Sequence, residues 1–172
     1  MCGFAGFTGY LENGKDVLTN MMNRIVHRGP DSAGQYIDDK AYMGFRRLSI
    51  IDLDNGSQPN EDKKIVITFN GEIYNHQELR KELIEKGHIF ANNSDTEVLI
   101  HAYEEYGEDM LNKLRGMFAF VIWDSKKKEL FELFSVFLYL RVSFFSGIIN
   151  SIKSERYKIM TNNEKALKMH QK

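Results

Sequence analysis

Cysteine occurs once in 172 residues, so no disulfide can form within the chain and no Cys-x-x-Cys ligand spacing exists. The histidines at positions 27, 76, 88, 101 and 170 form no His-x-x-x-His pair, and their scatter predicts no metal site. The chain does not open with a basic stretch followed by an apolar one, the form of a secretory signal, so a cytoplasmic location is expected. Charge of one sign is not in surplus: 23 Lys and Arg face 24 Asp and Glu. That balance argues against nucleic acid or an anionic membrane as a partner. No segment repeats another.

What remains is a soluble globular composition, 42% apolar and 27% charged, long enough for one domain with a substantial core. Residues 3–9 predict a buried strand, and the apolar spacing from Asp16 to Val26 predicts an amphipathic helix. His27-Arg28-Gly29-Pro30-Asp31 breaks it as a loop. Ala41 to Leu53 is strand-like, and Ile65 to Phe69 is an apolar strand ending at the turn pair Asn70-Gly71. Asn75 to Lys86 has helical spacing and stops at Gly87. A further helix is predicted from Ser94 to Tyr106, with Ser94 or Asp95 as its cap and Gly107 closing it. A short helix near Asp109 to Lys113 precedes an apolar strand from Met117 to Trp123 and a turn at Asp124-Ser125-Lys126. Strands and helices in mixed order, with hairpin-like pairs, point to an α+β fold rather than a doubly wound sheet.

The lone cysteine sits at position 2, directly behind Met1. With Met1 removed, Cys2 carries a thiol and a free α-amine. The amine (reference pKa ~7.7–8.0) can serve as base for the thiol (reference pKa ~8.5), so such a nucleophile needs no distant histidine. Polar residues interrupt otherwise apolar elements in four further places. These are His27-Arg-Gly-Pro-Asp-Ser-Ala-Gly34, Arg46-Arg-Leu-Ser-Ile-Ile-Asp-Leu53, Phe69-Asn-Gly-Glu-Ile-Tyr-Asn-His76 and Asn93-Ser-Asp-Thr-Glu97. Taken singly, each has a plain explanation. Asn70-Gly71 fits a type I′ hairpin turn, Asp95 fits a helix cap, and His27 and Asp31 fit a loop-ordering role. A Cys2–His27 pair of the papain kind is the rival use of the thiol.

Together, in this order and at these spacings, the five segments closely resemble the glutamine amidotransferase domain of glutamine-hydrolysing asparagine synthetases, the N-terminal-nucleophile type. The resemblance runs from Met1 to about Asp124. It implies a four-layer αββα sandwich and L-glutamine as substrate. It also implies that Cys2 attacks the side-chain amide while the Asn70 amide and the Gly71 N–H hold the oxyanion. Such donors must be fixed before the charge develops, and losing one typically costs ~10²–10³ in rate. By the same resemblance Arg47 pairs with the substrate α-carboxylate, where a planar fork meets a planar acceptor. Glu72 and Asp95 hold the α-ammonium, and the backbone of Leu48 and Ile50 lines the slot. Arg46 and Arg47 are strand neighbours and face opposite sides, and the motif register leaves Arg46 to solvent.

Beyond Asp124 the family's Arg-Asp-x-x-Gly-x-x-Pro-Leu-Tyr-Tyr-like segment is missing. The amidotransferase domain is therefore expected over 1–130, incomplete at its C-terminal end and short of sheet strands, with 131–172 a divergent or frameshifted tail. The apolar run Leu133–Ile149 carries Arg141 at its middle, which disfavours a membrane span. No Ser-Gly-Gly-x-Asp-Ser-like loop is present, so ATP and Mg are expected only in an absent synthetase domain or subunit. The glutaminase half needs no cofactor and no metal. The alternative is a catalytically silent, truncated remnant acting as a binding module.

Overall fold

Two sheets arise from the way apolar residues alternate along the strands. The computed structural model describes residues 2–48, 58–62, 64–134 and 157–160. In chain order these form Gly3–Thr8 (β1), Gly14–Arg24 (α1), Ser32–Ile37 (β2), Ala41–Arg47 (β3), Asn60–Asp62 (β4) and Ile65–Ile73 (β5). His76–Glu85 (α2), Asp95–Tyr106 (α3), Gly116–Asp124 (β6), Glu129–Phe134 (β7) and Tyr157–Met160 (β8) follow. Short 3₁₀ turns cover Val26–Arg28 and Gly107–Asn112.

One sheet has the order β1-β3-β2 and the other β4-β5-β6-β7-β8. Pairing is antiparallel except between β7 and β8, which run parallel. Three apolar clusters fix the layers. Leu18 and Met22 of α1 pack on Tyr42 and Phe7, covering the outer face of the three-stranded sheet. Ala41, Met43 and Tyr36 meet Val66, Val121, Trp123 and Leu130 between the two sheets. Alternate residues of β5 and β6, among them Ile67, Phe69, Phe120 and Ile122, pack with Leu79, Leu83, Leu99 and Ile100 of α2 and α3. The order helix, sheet, sheet, helices is the αββα sandwich that the resemblance implies.

The helices follow their expected spacing closely. In α1 the buried Leu18 and Met22 stand four apart, one helical turn. Ser94 is the cap of α3, its side chain accepting the Glu97 N–H at 3.2 Å, and Gly107 ends the helix at φ 55°. Helical spacing continues as far as Val26, but α1 stops at Arg24 and tightens into the 3₁₀ turn.

Two expectations are corrected here. Asn70-Gly71 is not a turn: β5 runs straight through it to Ile73, with Asn70 opposite Ala119 and Gly71 opposite Phe118. The partner strand β6 is long enough to hold these residues in the ladder, which overrides their local turn preference. The strands expected to be wanting after Asp124 are partly supplied, because Glu129–Phe134 pairs along β6 from Asp124 to Ala119. The turn between them is set by Asp124, whose Oδ1 accepts the N–H groups of Lys126 and Lys127. Apart from its first two residues and Tyr157–Met160, the segment from Leu133 onward lies outside the described residues. Among the described residues no helix is long and apolar enough to cross a membrane.

Asp38, at the β2–β3 turn, joins the two sheets. Its carboxylate accepts the N–H groups of Lys40 and Ala41 at 2.7 Å each, the Tyr36 hydroxyl at 3.0 Å and the Trp123 indole N–H at 2.8 Å. Burial alone would raise its pKa, but these donors favour the charged form and hold it below the usual carboxylate range. Asp38→Ala leaves the fully buried Trp123 indole without its acceptor and should cost about 1–3 kcal/mol in chemical denaturation. Because the folded value is depressed, the stabilisation is present above the ordinary Asp range and is lost as pH falls through it. The wild-type advantage over the alanine variant should therefore shrink below about pH 4.

Candidate active site

The side chain of Cys2 is set by the strand that follows it. Phe7 of β1 packs toward α1, and a Cβ on Gly3 would meet Ile25 and Arg28 on that same side. Alternation then turns Cys2 to the opposite face, toward the five-stranded sheet. Its thiol is half-buried and bracketed by one residue: it accepts the Leu48 N–H at 3.4 Å and donates to the Leu48 carbonyl at 3.7 Å. Arg28 Nε donates to the Cys2 carbonyl at 3.2 Å. Backbone and thiol of residue 2 are thus held from two directions.

Strand β5 brings the next groups to this interlayer space. Ile65, Ile67, Phe69 and Ile73 face the helices and Val66 faces the other sheet, so Asn70 and Glu72 share the side of Cys2. Among the described residues, β4 pairs along the edge of β5 away from β6 only as far as Asn60 opposite Ile67. Farther along that edge the Phe69 N–H is taken by Gln58 Oε1 at 2.6 Å and the Ile73 N–H reaches Asp95 Oδ2 at 3.5 Å. The Gly71 N–H lies between them by the same alternation and has no strand beside it among the described residues.

Glycine at 71 is required by the sheet itself. Its φ is +146°, and a Cβ there would strike the Met117 carbonyl and the Phe118 Cα of β6. Across the ladder Gly116 has φ +155°, with its own Cβ vector aimed at the Glu72 carbonyl. The two strands approach too closely here for side chains at either place.

Arg46 and Arg47 separate as strand neighbours must. Arg46 turns to α1, its guanidinium donating to the Met22 carbonyl at 3.3 Å and to Asn23 Oδ1 at 2.7 Å. It holds the end of α1 and is not left to solvent. Arg47 shares the face of Met43, on the side of Cys2, Asn70 and Glu72. Asp95 reaches the same strand from the first turn of α3. Its pKa is raised because burial disfavours the charge, against the opposing effects of the Ile73 N–H, His76 and the N–H groups of Thr96 and Asp95 itself.

The family model described as a glutamine amidotransferase domain matches residues 1–133. The chain belongs to that family. Asparagine synthetase [glutamine-hydrolyzing] 1 of Bacillus subtilis is 49% identical over 138 residues, covering 76% of this chain and 22% of the relative. The maize asparagine synthetase is 44% identical over 134 residues, covering 75% of this chain and 22% of the relative. The chain thus spans less than a quarter of the length of these synthetases. Among solved structures, the glutamine PRPP amidotransferase of B. subtilis superposes with a TM-score of 0.57 at 23% identity, over 71% of this chain and 35% of that one. An allosteric regulatory enzyme of purine biosynthesis gives 0.58 at 22% identity, over 71% and 35%. Both share the fold.

Within this amidotransferase domain Cys2, Arg47, Asn70 and Glu72 face the interlayer space, Leu48 touches the Cys2 thiol, and Asp95 approaches the outer edge of β5 at Ile73. Ile50 lies outside the described residues. His27 sits in the 3₁₀ turn after α1. Glu97 has a supporting place that the Asn93–Glu97 segment did not reveal. Its carboxylate accepts the N–H groups of Ala91 and Asn92 at 2.7 and 2.8 Å, fixing the loop that delivers Asp95. The histidines are not all scattered either. His88 and His101 approach to 3.2 Å beside Glu104, a meeting across thirteen residues that no short spacing signals.

The desolvated Asp95 carries a testable cost. A carboxyl whose folded pKa is raised stabilises the fold most at low pH and loses that contribution as pH rises through the folded value. Asp95→Asn keeps an acceptor for the Ile73 N–H without the charge. The variant should match the wild type near pH 3 and exceed its denaturation midpoint at pH 7.

Proposed function

We propose that this domain hydrolyses L-glutamine to glutamate and ammonia through a thioester on Cys2. What supports the reading is that the half-buried Cys2 thiol and the Asn70 side chain both face the interlayer space, while β5 turns the Gly71 N–H to its outer edge. With Met1 removed, the α-amine of Cys2 takes the thiol proton and the sulfur attacks the side-chain amide carbon. The negative oxygen that forms is met by the Asn70 amide and the Gly71 N–H, donors that β5 fixes in advance. Collapse expels ammonia, which takes its proton from the amine, and leaves the acyl group on sulfur. A water attacks the thioester with the same amine as base, releasing glutamate and restoring the thiol.

Arg47 receives the α-carboxylate of the substrate, and Glu72 with Asp95 receives the α-ammonium. Burial of Asp95 suits this role, because a cation brought against a desolvated carboxylate is attracted more strongly than in water. The Leu48 backbone, already in contact with the thiol, and Ile50 line the slot. The half-reaction calls for no cofactor and no metal. By similarity to the asparagine synthetases, the ammonia passes to a synthetase domain or subunit that uses ATP and Mg to make asparagine, in the cytoplasm.

Glutaminase assays on the full chain test this reading. Cys2→Ala, or protein that retains Met1 by mass spectrometry, should fall to background turnover while still binding glutamine. Asn70→Ala should lose ~10²–10³ in rate. Wild-type turnover in either Cys2→Ala or the Met1-retaining form would remove the nucleophile assignment.

The two arginines should separate cleanly in calorimetric titration with glutamine. Arg47→Ala should weaken binding by about 1.5–3 kcal/mol, the range for hydrogen bonds to charged groups. Arg46→Ala should leave binding near wild type and lower the thermal stability instead, because it releases the end of α1. The reverse ranking would place Arg46 in the site.

A further inference from the structure

Away from the glutamine site, and independent of that reading, the turn after α2 meets the middle of α3 through three potential ligands. His88 Nδ1 lies 3.2 Å from His101 Nδ1, His101 Nδ1 lies 3.1 Å from Glu104 Oε2, and His88 Nδ1 lies 3.6 Å from Glu104 Oε2. We propose that these three groups form a binding site for a divalent transition metal, with zinc the best fit, that clips the α2–α3 connection to α3.

The triangle has the dimensions of one face of a zinc tetrahedron. Zinc binds His nitrogen at about 2.0–2.1 Å and carboxylate oxygen at about 2.0–2.2 Å, which places tetrahedral ligands roughly 3.3–3.5 Å apart. The three edges bracket that separation, so an ion can enter with small side-chain adjustments. Water completes the fourth position from the side of Glu104 and His88, whose side chains are 16% and 11% exposed. On the inner side His101 is 2% exposed and packs edge-on against Phe90 at 4.4 Å.

The outer contacts also suit a metal. A ligating imidazole commonly offers its other N–H to a carboxylate, which fixes the tautomer. His88 Nε2 already faces Glu105 Oε2 at 3.3 Å, and His101 Nε2 faces Glu97 Oε1 at 3.9 Å. Without an ion, the two Nδ1 atoms must share a proton, because two bare nitrogens or two N–H groups at this distance repel. Glu104 Oε2, 3.1 Å from His101 Nδ1, favours the proton on that nitrogen; the His101 Nε2 is then a bare acceptor, and that buried atom has no hydrogen-bond partner. Metal on Nδ1 moves the proton to Nε2 and points it at Glu97. One cation therefore removes the Nδ1–Nδ1 conflict and gives the orphaned nitrogen a proton to share. It also draws positive charge toward three neighbouring carboxylates.

The test is titration of the full 172-residue chain with Zn²⁺ by calorimetry and with Co²⁺ by visible absorption. One ion per chain is expected, with the intense visible bands of four-coordinate Co²⁺ and a Zn²⁺-dependent rise in melting temperature. Cys2→Ser should leave all three signals in place, which separates this site from the thiol. His88→Gln and Glu104→Gln, both at partly exposed positions, should abolish the Co²⁺ bands and the thermal shift. Glu105→Gln should weaken Zn²⁺ binding about 10–100-fold, the usual effect of losing an outer carboxylate. Absence of stoichiometric binding would overturn the proposal. So would binding that survives both the His88 and the Glu104 substitution, or that disappears with Cys2→Ser.

Discussion

Burial of β5 and β6 on both faces is the constraint from which the rest follows. One face of this strand pair carries α2 and α3, and the other carries the three-stranded sheet. A strand in that position reads as a nearly continuous apolar run, and Ile65 to Phe69 does. Polar side chains can persist there only where the layers open or where each finds a partner. Asn70 and Glu72 break the run at one end of the strand, beyond the last residue that β4 pairs. Among the described residues, the end of β4 pairing and the change from apolar to polar sequence coincide.

Much of this was legible in the residues, for physical reasons that differ from element to element. The α3 helix carries both of its stop signals in its own sequence, Ser94 before it and Gly107 after it, so its bounds needed no tertiary information. The opposite facing of Arg46 and Arg47 follows from strand geometry alone, and the motif register decided which of them faces the interlayer space. Asn70-Gly71 misled because a local preference for turning was overridden by nine residues of pairing with β6. The β2 strand stayed invisible because Ser32–Ile37 is a mostly exposed edge strand with little apolar alternation. Asp38 and the His88–His101 contact depend on partners far away in sequence, which no short window contains.

Two aspartates show how one residue type can serve opposite ends. Asp38 is surrounded by donors, its charge is favoured, and its work is to bind the layers. Asp95 is desolvated with weaker compensation, and its charge is left wanting a cation. The first arrangement strengthens the empty protein. The second costs the empty protein stability wherever the carboxyl is charged. Gly71 and Gly116 show a comparable constraint in the backbone: the close approach of β5 and β6 removes two side chains from the sheet.

Trp123 is the chain's single tryptophan, 1% exposed, and its indole is tied to a carboxylate on the opposite sheet. The molecule therefore carries an intrinsic fluorophore at the seam between its two sheets. Emission from that indole reports on the docking of the layers, whereas far-ultraviolet dichroism reports on the ladders within each of them. If the sheets part before either one melts, the indole meets water first and its emission moves to the red while the dichroism is still unchanged. The order of the two signals separates loss of the interlayer seam from loss of the strands that carry it.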